Sequence, residues 1–193
     1  MNPETLSVAV LTSELFDSLG IPHVLGGSLV STYYSEPRFT NDADFAVALR
    51  SNQVDALVAR ASEHFFVDRS FVLEAVQAKR MFTMVHRKPI VKVDVYVRER
   101  TGFFASQLER ARLAPLRKSP PGSAWIVSHE DIVLQKLLWF EQGGRASEQQ
   151  WRDVLGVLRI WHGRLDEAYL NEWADKLDLV ELLDRARRET VIG

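Results

Sequence analysis

The sequence predicts an α/β fold (α+β in some schemes): a mixed β-sheet flanked by helices over residues 1–127, then a helical bundle over residues 128–193. Three observations predict it. A short apolar run, Ile21–Leu25, leads into Gly26-Gly27 and then into helix-spaced apolar residues, which reads as strand, glycine turn, helix. Two runs further on, Asp42–Leu49 and Ile90–Val97, alternate with the period of a strand. From Ser128 onward the apolar residues recur at helical spacing, and the Pro120-Pro121-Gly122 stretch just before is the natural boundary.

Taken in order, Pro3–Leu19 is expected to be a helix, with Asn2 as N-cap, proline in the first turn and Gly20 closing it. The helix after the glycine turn runs through Leu29, Val30, Tyr33 and Tyr34 and stops before Pro37. In the strand Asp42–Leu49, Asp42, Asp44, Ala46 and Ala48 share one face, and Phe45, Val47 and Leu49 the other. Ser51–His64 carries Val54, Leu57, Val58 and Ala61 on one helical stripe. Phe65–Leu73 reads as strand or strand plus turn, and Met81–His86 with Ile90–Val97 as a hairpin around Arg87-Lys88-Pro89. Residues 101–123 read as loop-rich and basic, with a short helix near Phe103–Leu108, and Ala124–Val127 as one more short strand. Ser128 opens a helix to about Gln142 with a Ser-x-x-Asp start, Asp153 opens a second with Val154, Leu155 and Leu158 on its core side, and two more fill 165–189.

Composition bounds the function. The 193 residues are 46% apolar and 26% charged, ordinary for a globular protein. No apolar run approaches the ~20 residues that span a membrane, and the amino terminus lacks the basic and apolar regions of a signal peptide. Without cysteine there is no disulfide frame and no thiolate metal site, and the five histidines show no metal spacing, so a cytoplasmic address and no membrane partner are expected. The net charge of −2 argues against global steering to nucleic acid. Between Lys79 and Lys118, however, eleven basic residues face three acidic ones, a net of +8, which leaves −10 for the rest. That asymmetry marks either a polyanion surface or a solvated face scattered over several strands.

The chemistry concentrates in Gly26-Gly27-Ser28 and in Arg38-Phe39-Thr40-Asn41-Asp42-Ala43-Asp44. A helix start behind a glycine turn is a seat for phosphate, because its free N–H groups point outward. Asp42 and Asp44 fall on one strand face, where two carboxylates suit a divalent metal for phosphoryl chemistry. Asp94 lies in the middle of the β-branched strand, on the face shared by Ile90, Lys92 and Tyr96. It is either bound to metal or paired with Lys92 or a neighbouring arginine, since a lone buried carboxylate is costly. Lys136 lies inside an apolar helical face, among Ile132, Val133, Trp139 and Phe140, and must snorkel out or find an anion.

This set resembles the signature of the DNA polymerase beta-like nucleotidyltransferase superfamily: a glycine pair or Gly-Ser, a short helix, Asp-x-Asp opening a strand, and a third acidic residue on a later strand. The Arg38-x-Thr40-x-Asp42-x-Asp44 form is most similar to the minimal nucleotidyltransferases and the AbiEii-type toxin group. The resemblance covers Gly26–Asp94 well and the helical tail less well. It implies transfer of an NMP from an NTP to an acceptor hydroxyl. Asp42, Asp44 and Asp94 would be catalytic and would hold two Mg²⁺ ions or Mn²⁺, with Asp94 as general base. Gly26, Gly27, Ser28, Arg38, Thr40, Lys136 and Asp153 would bind the nucleotide. In the AbiEii-like group a lysine, an arginine and a basic-Asp pair follow in this order; Lys136, Arg145 and Arg152-Asp153 match it loosely, and a plain helix-to-helix salt bridge explains Asp153 equally well. The implied acceptor is RNA or tRNA with a cognate antitoxin as partner; the alternatives are a small antibiotic-type acceptor or a non-catalytic nucleotide- or partner-binding module.

Overall fold

The computed structural model describes residues 2–192; Met1 and Gly193, the outer ends of the two expected ranges, lie outside the described residues. The chain divides into two compact units, Met1–Leu29 with Phe39–Val127, and Val30–Arg38 with Ser128–Gly193.

The first unit is built on a seven-stranded sheet. Its elements are α1 (Pro3–Ser18), β1 (His23–Leu25), the start of α2 (Gly27–Tyr34), β2 (Asp42–Val47), a 3-10 turn (Ser51–Gln53), α3 (Val54–Ala61), β3 (Phe65–Phe66), α4 (Arg69–Ala78), β4 (Met81–His86), β5 (Val91–Val97), α5 (Gly102–Arg110), β6 (Arg112–Lys118) and β7 (Pro121–Ile126). The strand order is β3-β4-β5-β2-β1-β7-β6. The β1–β7 and β2–β5 pairs are parallel and the others antiparallel. The mixed sheet follows from the alternation in the sequence: Val91, Val93, Val95 and Val97 all face the core, as do Phe45 and Val47.

Helix α1 covers the middle of this sheet. Asn2 caps it through its side chain to the Glu4 N–H, and buried Phe16 meets Phe45 edge-on at 5.6 Å. Ser13 anchors the same contact. Its hydroxyl is hydrogen-bonded to His23 Nε2 at 2.7 Å, while His23 Nδ1 donates to the Ile21 carbonyl at 2.9 Å, so both ring nitrogens are used. Burial holds the His23 pKa below its ordinary value, which fits a structural histidine.

Two expectations need correction. Phe65–Leu73 is not a strand beyond Phe65–Phe66. Asp68 caps α4 by accepting from the Ser70 and Phe71 N–H groups, and the buried Val72 and Ala75 lie one helical turn apart. The stretch 101–123 is not loop-rich either: α5 is followed by the β6–β7 hairpin. Pro115 is tolerated there because β6 is an edge strand and its register shifts between Pro115 and Arg117. The topology also divides the basic stretch. Arg87, Lys88 and Lys92 lie on or beside β4–β5, whereas Arg112, Arg117 and Lys118 lie on β6, with β2, β1 and β7 between them in strand order.

The second unit contains the rest of α2 from Val30, then α6 (His129–Gln142), α7 (Glu148–Ile160), α8 (Glu167–Lys176) and α9 (Val180–Ile192). Ser128 caps α6, its hydroxyl accepting from the Asp131 N–H and donating to the Asp131 carboxylate. Asp131 also accepts from the Tyr169 hydroxyl of α8 at 2.5 Å. Helix α7 starts at Glu148 rather than at Asp153, because Ser147 caps it by accepting from the Gln150 N–H; Val154, Val157 and Leu158 are buried on it, and the Trp161 indole N–H donates to the Tyr34 carbonyl at 2.8 Å.

Candidate active site

In the first unit the carboxylates are placed by β2 and β5. These strands run parallel with Asp44 opposite Asp94 and Asp42 opposite Lys92. Side chains two apart on a strand share a face, so Asp42, Asp44, Lys92 and Asp94 stand on the same side of the sheet. Asp44 and Asp94 are buried and Asp42 is half-buried. The Thr40 hydroxyl donates to Asp42 Oδ1 at 2.7 Å, and the Thr40 carbonyl accepts from Thr5 at 3.1 Å. Thr40 therefore fixes the chain that enters β2.

The glycine turn is fitted to Asp44. The Gly26 N–H donates to the Asp44 carbonyl at 2.9 Å, which carries the β1–β2 ladder one step past Leu25. Gly27 has φ +62°, and a Cβ there would lie 2.0 Å from Asp44 Oδ2 and 2.6 Å from its Cγ. Both the backbone conformation and the space demand glycine. Ser28, half-buried, follows in the first turn of α2.

Asp94 has both oxygens engaged. The Thr83 hydroxyl of β4 donates to Oδ1 at 2.7 Å, and the Lys92 ammonium donates to Oδ2 at 2.6 Å. That hydrogen bond, opposed by burial and aided by the charges of Asp94, Asp42 and Asp44, raises the Lys92 pKa above its ordinary value. Beside them, burial and then the charges of Asp44 and Asp94 push the Tyr96 phenol up to about 12. The carboxylates make this face negative, and the Lys92 ammonium is bonded to one of them, Asp94.

The donor chemistry fits a hard divalent cation: carboxylate oxygens on one sheet face, with the missing Cβ of Gly27 leaving room at Asp44 Oδ2. Among the described residues, however, no group of three or more Asp, Glu or His side chains is arranged to hold a metal ion. Asp42 and Asp44 offer the carboxylate oxygens for such an ion, while both oxygens of Asp94 are engaged by Lys92 and Thr83.

The second unit brings Arg38, Lys136 and Asp153 together. Lys136 finds its anion in Asp153 on the neighbouring helix, at 2.8 Å, with the two side chains 1% and 5% exposed. Arg38 grips the same carboxylate with Nε at 3.2 Å and Nη2 at 3.1 Å. Ser31 and Gln149 add hydrogen bonds at 3.0 Å each. Burial would raise the Asp153 pKa, but the adjacent Lys136 ammonium, then Arg38, outweigh it and hold the pKa below the ordinary value. Arg145 lies apart from this cluster and pairs with Glu141 at 2.7 Å.

The architecture can now be compared with known proteins. It matches the solved structure of an antigenic nucleotidyltransferase-like protein from Paracoccidioides brasiliensis with a TM-score of 0.57 and 16% identity, covering 97% of this chain and 94% of that one. The chain has a nucleotidyltransferase-like fold. The same fold relates it to the lincosamide antibiotic adenylyltransferase LnuA, solved with lincomycin bound, at a TM-score of 0.51 and 12% identity over 81% of this chain and 97% of that one. No family model matches the sequence, and no curated protein matches it.

Within this nucleotidyltransferase-like fold, sequence reasoning passed over Thr83, Ser31 and Gln149, and kept Lys92 only as an alternative partner for Asp94. A signal for Thr83 was present. A hairpin closed around Arg87-Lys88-Pro89 with Met81 opposite Tyr96 sets Thr83 opposite Asp94. Gln149 also had one, since it stands one helical turn before Asp153; Ser31 had none, because its partner is 122 residues along the chain.

Proposed function

We propose that the protein is a metal-dependent nucleotidyltransferase that moves an NMP from an NTP to an acceptor hydroxyl. The observation that carries this is the fitted turn: Gly27, against Asp44 Oδ2, opens a helix beside the face that carries Asp42, Asp44 and Asp94. In this reading Gly27 and Ser28 bind the phosphates through N–H and hydroxyl donors, Gly26, whose N–H is taken by the Asp44 carbonyl, shapes the turn, and Thr40 holds Asp42 in place. Asp42 and Asp44 would hold Mg²⁺ or Mn²⁺, which when bound neutralises charge on the α-phosphate and on the leaving pyrophosphate. The acceptor oxygen bonds to the α-phosphorus, the bond to the bridging oxygen breaks, and pyrophosphate leaves. The acceptor's proton passes to Asp94, once Lys92 has released it. Proposed nucleotide contacts at Arg38, Lys136 and Asp153 rest on the sequence resemblance alone.

For the acceptor, the resemblance to the toxin group favours RNA or tRNA, with a cognate antitoxin and a cytoplasmic location. A small hydroxylated molecule is the second reading, favoured by the likeness to LnuA over nearly the whole of that enzyme. Transfer of label from each α-³²P NTP with Mg²⁺ into RNA, protein or small hydroxylated compounds tests both. Label that disappears in Asp42→Ala/Asp44→Ala identifies the acceptor class. Nucleotide binding without transfer to any acceptor would instead make the chain a binding module.

A further inference from the structure

The third carboxylate of the site is already satisfied by the protein itself. Asp94 Oδ2 lies 2.6 Å from Lys92 Nζ and Oδ1 lies 2.7 Å from the Thr83 hydroxyl. Lys92 stands opposite Asp42 in the strand register, so its ammonium lies on the face that carries all three carboxylates. No trio of acidic side chains is gathered for a metal among the described residues. Yet the pair is not sealed. The Lys92 side chain is 53% exposed while that of Asp94 is 7% exposed, so the lysine can swing away at little cost, whereas the carboxylate stays.

We propose that Lys92 is a built-in counter-ion that stands where a second divalent cation would join Asp94 to the aspartate pair, so that the nucleotide-free protein takes up a single divalent ion on Asp42 and Asp44. Incoming nucleotide phosphates offer Lys92 a competing anion, and its departure frees Asp94. The third carboxylate is then available only when substrate is present. This deepens the metal-dependent reading above and rests on it.

The test is a Mn²⁺ titration of the full chain without nucleotide, following free Mn²⁺ by electron paramagnetic resonance. The set is wild type, Lys92→Met, Lys92→Arg, Lys92→Met/Asp94→Asn and Asp42→Asn, with thermal melting to confirm folding and Lys92→Gln as the substitute if the methionine variant fails to fold. The expected result is one ion for wild type and for Lys92→Arg. Lys92→Met should gain a second ion or bind about tenfold more tightly, the effect of removing a like charge at close range, and Asp94→Asn should cancel the gain. If wild type and Lys92→Met bind identically, or wild type already binds two ions, the counter-ion role is overturned. The metal reading then survives provided Asp42→Asn abolishes binding. If no variant binds Mn²⁺, the metal reading falls and the counter-ion role falls with it.

Discussion

Two lysine–aspartate pairs in this protein have similar lengths and different lives. Lys92–Asp94 spans 2.6 Å and Lys136–Asp153 spans 2.8 Å. The first has a lysine half open to water and belongs to a sheet face with surplus negative charge. The second is closed on both sides, and Asp153 accepts from five donor atoms: two on Arg38 and one each on Lys136, Ser31 and Gln149. Distance does not separate a structural pair from an exchangeable one. Burial does, because removing one partner in water leaves a solvated charge, and removing one in the interior leaves an uncompensated one.

The comparison breaks first at Lys136. Lys136→Met should cost about 3–5 kcal/mol, the usual penalty for breaking a buried pair, read as a shift in the urea midpoint. An effect below about 1 kcal/mol would place this cluster with exposed pairs. Next comes Gly27→Ala, for which the left-handed backbone alone costs about 1–2 kcal/mol and Asp44 must also move. Gly20→Ala is its control, since Gly20 shares the positive φ, +61°, but has no atom within 4 Å of an added Cβ. Both should lower the melting temperature, but Gly27→Ala alone should abolish the thermal shift produced by Mg²⁺ and nucleotide.

Acid sharpens the contrast. Asp153 has a folded pKa below its unfolded value of 3.8, so its contribution is present above that value and lost as pH falls through the folded one. In that window the urea midpoint should drop with a slope of up to about 1.4 kcal/mol per pH unit, and Asp153→Asn should flatten it. The Lys92 shift has the opposite sign: with a folded pKa above 10.5, its contribution is full below 10.5 and lost as pH rises through the folded value. The smallest effect is expected at Lys92 itself. Lys92→Met should cost less than Lys136→Met, because Lys92 is half exposed and Thr83 still donates to Asp94, and high salt should shrink the difference.

Much of the first unit was legible because its signals are local. The glycine turn, the alternation around Asp42 and Asp44, and the β-branched strand around Asp94 each occupy fewer than ten residues. The misreadings were local conflicts settled by partners. Phe65–Leu73 looks β-forming, but the Asp68 cap and the buried Val72–Ala75 stripe make most of it helix. The proline-rich stretch looks like loop, but an edge position lets β6 pair with β7.

The sequence by itself determined the strand–turn–helix, the face on which the aspartates stand and the helix capped by Ser128, because backbone periodicity, glycine and capping residues act within a few positions. Only the tertiary structure decided which groups answer which charges. Gly27 meets Asp44 because β2 returns beside β1, Thr83 reaches Asp94 through the β4–β5 register, and Arg38 meets Asp153 from 115 residues away. A charge is neutralised by what lies next to it in space, and that neighbour is set by chain topology rather than by local spacing.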